Sequence, residues 1–176
     1  MKEMTGKLLS TTMRHYEESA NIPASPRQVF DYADDHARLS SHMNQSSWMM
    51  GGGRMEIHAD AGHGQVVGSH IRLSGKILGI HLFLDEVVTQ HDPPYRKAWR
   101  TVGTPRLLVI GHYRLGFEIN TENRESKLRV FIDYELPTTL TTRWLGYLFG
   151  GIYAKWCVRQ MIQSAREALK SVDDSV

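Results

Sequence analysis

A chain of 176 residues with 41% apolar and 23% charged residues has the composition of one folded domain. That excludes wholesale disorder and leaves no room for two ordinary domains. A net charge of +2 from scattered Lys and Arg lacks the concentrated basic stripe of a nucleic-acid binder, and the lone cysteine, Cys157, excludes an internal disulfide and fits a reducing compartment.

The opening stretch to His15 lacks the apolar run of a signal peptide. Thr11 to Ile22 carries β-compatible residues and reads as a first strand. Ser25 has the hydroxyl of a helix cap, and Pro26 falls at the first helical position, where its missing N–H costs nothing. Val29, Phe30 and Ala33 share one face of the helix that follows. Asp34, Asp35 and His36 end it, and a second short turn runs to Leu39.

Trp48 to Ile57 and Gln65 to Ile77 read as strands, the first interrupted by Gly51 to Gly53. Leu82 to Gln90 and Tyr95 to Val102 flank His91-Asp-Pro-Pro94, where two prolines force a turn and make the pair a hairpin. One face of that hairpin carries Leu84, Glu86, Val88, Ala98 and Arg100. The other carries Asp85, Val87, Lys97, Trp99 and Thr101, and their mixed character leaves the inward face open. Arg106 to Ile119 and Leu128 to Leu136 alternate more cleanly. Pairing Phe117 with Leu128 puts both apolar sets on one side, with Glu118 opposite Lys127 and His112 opposite Asp133.

Pro137 breaks the last strand. From Thr138 to about Lys170 the period is helical, with Trp144, Leu148, Gly151, Val158, Ile162, Ala165 and Leu169 near one face. The first half is apolar nearly all round. Such a helix must be enclosed, face a cavity or meet a partner, and a homodimer through this helix is one such arrangement. Its most apolar run, Trp144 to Trp156, falls short of the ~20 residues of a spanning segment. A cytoplasmic protein with no integral membrane segment is expected.

Strand, two short helices, six strands and a long closing helix is the order of the helix-grip fold, and the chain resembles the START-like or SRPBCC superfamily. The residues that carry the resemblance are Ile22-Pro-Ala-Ser-Pro-Arg-Gln-Val-Phe-Asp-Tyr32, Trp48, Val67-Gly-Ser-His-Ile-Arg-Leu73, Asp92-Pro-Pro94 with Trp99, and Tyr134-Glu-Leu-Pro137 before the last helix. The resemblance covers roughly residues 11 to 170. It implies an α+β fold in one START-like domain, a seven-stranded curved antiparallel sheet gripping the C-terminal helix, with a ligand cavity between them. The superfamily includes carriers, receptors and polyketide cyclases, and shares no catalytic motif.

The expected function is binding or transport of a small hydrophobic ligand such as a lipid, quinone or polyketide-like compound. The expected lining is Trp48, Trp99, Tyr113, Leu115, Tyr134, Leu148 and Ile152, mostly apolar surface with two phenolic handles. The alternative is a polyketide cyclase or dehydratase using a cavity His, Tyr or Arg for acid–base chemistry. Arg14, Glu56, Asp85, Glu86 and His70 are the other titratable side chains that alternation can bring inside. A carboxylate or His inside the cavity favours the enzyme, and a lining of apolar groups and tyrosines alone excludes it.

No cofactor or metal is called for. The nine histidines form no zinc-protease spacing, and there is no cysteine cluster. His58, His70, His81 and His112 read as solvent-facing or hydrogen-bonded, and Asp31, Asp34, Asp35 and His36 as a solvated rim. Gly62, Gly64 and Gly68 have the wrong spacing for a dinucleotide loop. Gly146 and Gly150 read as a close contact of helix on sheet, and Cys157 as a small buried hydrophobe.

Overall fold

In the computed structural model, residues 13–39, 54–77, 79–122 and 125–173 are described. Strand β1 spans Arg14–Ile22, helix α1 Pro26–Asp34 and helix α2 His36–Leu39. Strands β2 (Arg54–Ala59), β3 (His70–Ile77), β4 (Ile80–Asp92), β5 (Arg96–Arg106), β6 (Tyr113–Glu122) and β7 (Glu125–Tyr134) follow, and helix α3 (Leu140–Asp173) closes the chain. The seven strands form one antiparallel sheet in the order β1-β7-β6-β5-β4-β3-β2. Helix α3 packs on the β1–β7 end, and α1 and α2 pack against it.

Helix α1 starts where the Ser-Pro pair requires. The Ser25 hydroxyl accepts from Gln28 N, and Gln28 Oε1 accepts from Ser25 N at 3.0 Å, a complete capping box. Its apolar face, Val29, Phe30 and Ala33, is buried.

The strongest alternation builds the centre of the sheet. Tyr113 faces Tyr134, Leu115 faces Ile132, Phe117 faces Val130 and Ile119 faces Leu128. The register differs by two residues from the Phe117–Leu128 pairing expected from sequence. A two-residue shift keeps every side chain on its face, so the core pattern tolerates both registers. Charge pairing exists in both, but here Glu118 meets Arg129 at 2.8 Å and Asp133 faces Arg114. Pairing runs out to Glu122 opposite Glu125, so the ladder extends into the loop expected over Asn120 to Glu125.

Two further boundaries move. Strand β6 begins at Tyr113, because Arg106 belongs to β5 and residues 107–112 leave the ladder. Strand β3 begins at His70, because residues 61–68 are turns organised by Asp60. That carboxylate accepts from Gly62 N at 2.9 Å, from His70 N at 2.7 Å and from the Ser69 hydroxyl. Strand β2 begins at Arg54, and Trp48 to Gly53 lie outside the described residues.

The β4–β5 hairpin resolves its open faces through a bulge. Val88 faces Trp99 while Gln90 faces Ala98, so β4 carries one extra residue, Thr89. The slip brings Leu84, Glu86 and Val88 to the same interior as Lys97, Trp99 and Thr101, all buried.

Helix α3 buries Val158, Ile162 and Ala165 in the core, as the period of its second half predicts, together with Ala154. Its first half turns differently. Among the described residues from Thr142 to Tyr153, Gly146 and Gly150 are the buried positions. A Cβ on Gly146 would lie 2.5 Å from Pro137 Cδ, and one on Gly150 would lie 2.9 Å from the Val109 carbonyl oxygen. These two glycines let the helix close on residues 107–112 and the end of β7, and the large apolar side chains of this half are displaced outward.

Candidate functional site

The core has two parts. One joins α1, α3 and strands β5 to β7, and the other is Ile71, Leu73, Leu82, Leu84 and Val88 on β3 and β4. A void of about 30 Å³ lies where they meet. Its apolar wall includes Leu73, Leu84, Trp99, Leu115, Ile132 and Met161.

Three polar side chains enter this wall. Glu86 arrives from β4 by the alternation that also buries Leu84 and Val88, and it is 2% exposed. Tyr113, the first residue of β6, donates its hydroxyl to Glu86 Oε1. His36, the first residue of α2, is 5% exposed and sets Nε2 3.2 Å from Glu86 Oε2. Its ring meets Trp99 edge to face at a centroid distance of 4.9 Å. Burial, with the Glu86 carboxylate beside it, pushes the Tyr113 phenol well above its ordinary pKa, and Tyr153 on α3 moves the same way. Burial pushes the Cys157 thiol up to about 12, which makes it a poor nucleophile at neutral pH.

The site is incomplete as a hydrogen-bonding system. Among the described residues, Glu86 Oε2, His36 Nδ1 and Trp99 Nε1 are buried with no hydrogen-bond partner. The Glu86–His36 contact has ion-pair distance without hydrogen-bond alignment. His36 also borders an outer cleft of about 370 Å³ with Asp35, Ile57, Ala59, His63 and Gln65. It therefore stands between the interior and this cleft.

A second buried cluster fixes His36 from behind. Lys97 Nζ donates to the Asp34 backbone oxygen at 2.8 Å and to Asp34 Oδ1 at 2.7 Å, and its side chain is fully enclosed. His91 Nε2 lies 3.0 Å from the same Oδ1. Burial lowers the Lys97 pKa, and Asp34 partly opposes that shift. Asp34 and His36 are thus buried, and the solvated rim expected there is corrected. The turn between α1 and α2 folds inward because Lys97 holds it.

The sequence-derived lining divides. Trp99, Tyr113 and Leu115 stand together around the void. Tyr134 is buried in the core beside the α3 glycines, with its hydroxyl oxygen 3.6 Å from the Cβ position of Gly151. Leu148 and Ile152 are 60% and 54% exposed. They do not reach the void, because the glycine face of α3 is the one that meets the sheet. Trp48 lies outside the described residues. Of the five titratable candidates only Glu86 lines the void. Arg14 stacks over the Tyr147 ring at 5.2 Å, His70 pairs with Asp85 at 2.9 Å, and Glu56 is exposed. His36, Tyr153, Cys157 and Met161 join the wall without having been expected there. For the last three, the i, i+4 and i+8 spacing along α3 was the available signal, whereas His36 carries none. Among the described residues, no cluster of three or more His, Cys, Asp or Glu is placed to hold a metal ion.

A curved seven-stranded antiparallel sheet around a long C-terminal helix defines a START-like helix-grip protein. The chain belongs to the family described as polyketide cyclase / dehydrase and lipid transport, whose model matches residues 13–172. Among curated proteins none matches the chain in sequence.

Solved structures share the fold at low identity. Norcoclaurine synthase from Thalictrum flavum, in complex with dopamine and hydroxybenzaldehyde, superposes with a TM-score of 0.63 at 13% identity, covering 97% of this chain and 96% of that one. A protein from Thermus thermophilus gives 0.64 at 15% identity, covering 90% and 99%. The Zhui aromatase/cyclase from a Streptomyces species gives 0.59 at 14% identity, covering 88% and 94%.

Proposed function

We propose that this protein binds a small hydrophobic molecule of lipid, quinone or polyketide type between the sheet and α3. The ligand's polar end is held by Glu86, His36 and Tyr113. The observation that carries this reading is the pair of buried atoms without a hydrogen bond, Glu86 Oε2, met only by the unaligned His36 Nε2, and His36 Nδ1, in a mostly apolar wall. A buried polar atom without a partner costs roughly 1–3 kcal/mol, and a ligand hydroxyl or carbonyl placed there recovers that energy. The apolar walls part to admit the rest of the ligand.

Native mass spectrometry of the purified protein after exposure to a lipid extract tests the reading. A bound species is expected, and a hydroxylated aromatic is expected to bind about tenfold more tightly than its hydrocarbon isostere, the equivalent of satisfying one buried group. Glu86→Gln narrows that preference if Glu86 holds the polar end. No retained species from the extract or from such a pair would overturn the proposal.

A second reading has its own support. The void contains a carboxylate and an imidazole as well as a phenol, the feature that favours the cyclase or dehydratase alternative. Glu86 as proton acceptor and Tyr113 as hydrogen-bond donor to a developing enolate is a workable acid–base pair. Turnover of a poly-β-ketone substrate that is lost in both Glu86→Gln and Tyr113→Phe would establish it. Binding without turnover leaves the carrier.

A further inference from the structure

The first half of α3 carries a stripe that the fold does not use. Trp144, Tyr147, Leu148 and Ile152 are 57%, 56%, 60% and 54% exposed, and Phe149 beside them is 47% exposed. Trp144, Tyr147, Leu148, Gly151, Ile152 and Lys155 follow one another at helical spacing, so they form a single row along the outer face. The row spans about 16 Å at 1.5 Å per residue.

Charge decides what covers it. Between Glu135 and Glu167 the sequence has no acidic residue, whereas Arg143, Lys155 and Arg159 are basic. Strand β1, packed against this helix, adds Arg14 over the Tyr147 ring. The nearest acid facing it from β1, Glu18, is already paired with Arg159 at 3.0 Å. With Arg159 neutralised by Glu18, the surface is apolar in the middle and cationic at its margins through Arg143, Lys155 and Arg14. A second copy is a poor occupant. An antiparallel helix pair centred on Phe149 would set each Arg143 against the other copy's Lys155. An anionic bilayer matches both components, with Trp144 and Tyr147 suited to the headgroup level. Among the described residues no helix is long and apolar enough to cross a membrane, so a contact of α3 with a bilayer would run along the surface.

We propose that the outer face of α3, centred on Leu148, docks this protein on anionic lipid bilayers. The proposal does not depend on what the interior binds. It is tested by co-sedimentation with phosphatidylcholine vesicles that contain or lack phosphatidylglycerol. Binding to the anionic vesicles, weakened by added salt and accompanied by a blue shift of fluorescence that is lost in Trp144→Ala, is expected. Leu148→Gln and Ile152→Gln are each expected to weaken partitioning about tenfold, the equivalent of one large apolar side chain left in water. Because both side chains are already exposed, their thermal unfolding should stay at the wild-type value. Absence of binding to anionic vesicles would overturn the proposal, as would equal binding to neutral ones. A concentration-dependent dimer in light scattering that the same two substitutions abolish would overturn it in favour of a second copy.

Discussion

Lys97 is the side chain whose removal should most disturb the site without touching it. Its ammonium is fully enclosed and spends two bonds on Asp34, one to the backbone oxygen and one to the carboxylate. Lys97→Met keeps the apolar stem but leaves the carboxylate nearly buried, with His91 as its remaining side-chain partner at 3.0 Å. Breaking a buried ion pair from one side costs roughly 3–5 kcal/mol. The surviving His91 contact places the expected loss at the lower end, about 3 kcal/mol. With an m-value of about 2 kcal/mol/M in urea, the unfolding midpoint should fall by about 1.5 M. Adding Asp34→Asn to Lys97→Met removes the stranded charge and should restore about half of that loss. The loss should also reach the site, because Asp34 anchors the turn that presents His36. The His36 imidazole NMR signals, shaped by the Trp99 ring 4.9 Å away, should move in Lys97→Met. A midpoint within error of wild type, or a double variant no more stable than the single, would refute the assignment of Lys97 and Asp34 as a buried, energetically coupled pair.

The α3 glycines give a prediction of opposite signs. Alanine normally stabilises a helix interior by up to about 1 kcal/mol over glycine, and Gly151→Ala should do so, since its nearest neighbour is the Tyr134 hydroxyl at 3.6 Å. Gly150→Ala meets the Val109 backbone oxygen at 2.9 Å and should lose about 1–2 kcal/mol by overpacking; equal melting temperatures would remove the close-contact argument. Alkaline stability should also fall. Cys157, Tyr113 and Tyr153 hold their protons above the ordinary values of 9.0 and 10.0, so the unfolded chain releases protons first and unfolding gains as pH rises. Lys97, shifted down from 10.5, acts in the other direction until the unfolded lysine also deprotonates. The loss therefore turns steep from about pH 10, where the two tyrosines join Cys157 and outweigh Lys97, at up to roughly 1.4 kcal/mol per pH unit for each of the three groups. A flat urea midpoint between neutral pH and pH 11 would contradict this. At the acid end, the Ser69 hydroxyl and the His70 and Gly62 amides hold the Asp60 carboxyl below its ordinary 3.8. Its contribution is full above that value and is lost as pH falls through the folded pKa, so the 60–70 turn should lose its amide signals before the sheet does. Loss of both together would show that the turn does not depend on this carboxylate.

The elements of the fold were legible wherever one period persisted. Leu115, Phe117 and Ile119 opposite Val130 and Ile132 could only be an inward strand pair, and Ser25-Pro26 could only begin a helix. Register was less legible than facing, because a shift of two residues on β6 and β7 preserves both the apolar side and opposite charges across the strands. The inward face of the β4–β5 hairpin was not legible at all. Its decisive feature is the extra Thr89, and a bulge changes which residues oppose each other without changing composition. On α3 the sequence showed too much apolar surface to choose a side. The choice was made by small residues, since Gly146 and Gly150 permit an approach that Trp144 and Leu148 would prevent. The site followed the same division. Glu86 was one of five side chains that alternation could bring inside, but His36 sits after a helix end, where no periodicity assigns a direction. Its position depends on Lys97 from a strand some sixty residues away holding Asp34 two positions earlier.

The small void and the proposed ligand are reconciled by where the interior's energy is spent. A fully apolar interior closing to about 30 Å³ would gain little by opening, because a hydrocarbon entering it would replace contacts already made. This interior leaves a carboxylate oxygen, an imidazole nitrogen and an indole N–H unsatisfied in the same wall. At roughly 1–3 kcal/mol each, their cost in the closed form is comparable to that of parting a few apolar side chains, about 1.5–3 kcal/mol for each large one exposed. Closed and opened forms are thus close in free energy only when the entering molecule brings hydrogen-bonding groups to Glu86 and His36. In the proposed binding, the wall that would give way is adaptable. Met161 is unbranched and adaptable, and Leu107 and Ile110 belong to the segment that has left the ladder between β5 and β6. On the proposed reading, polar selection by Glu86 and His36 and adaptable packing by Met161, Leu107 and Ile110 meet in one wall.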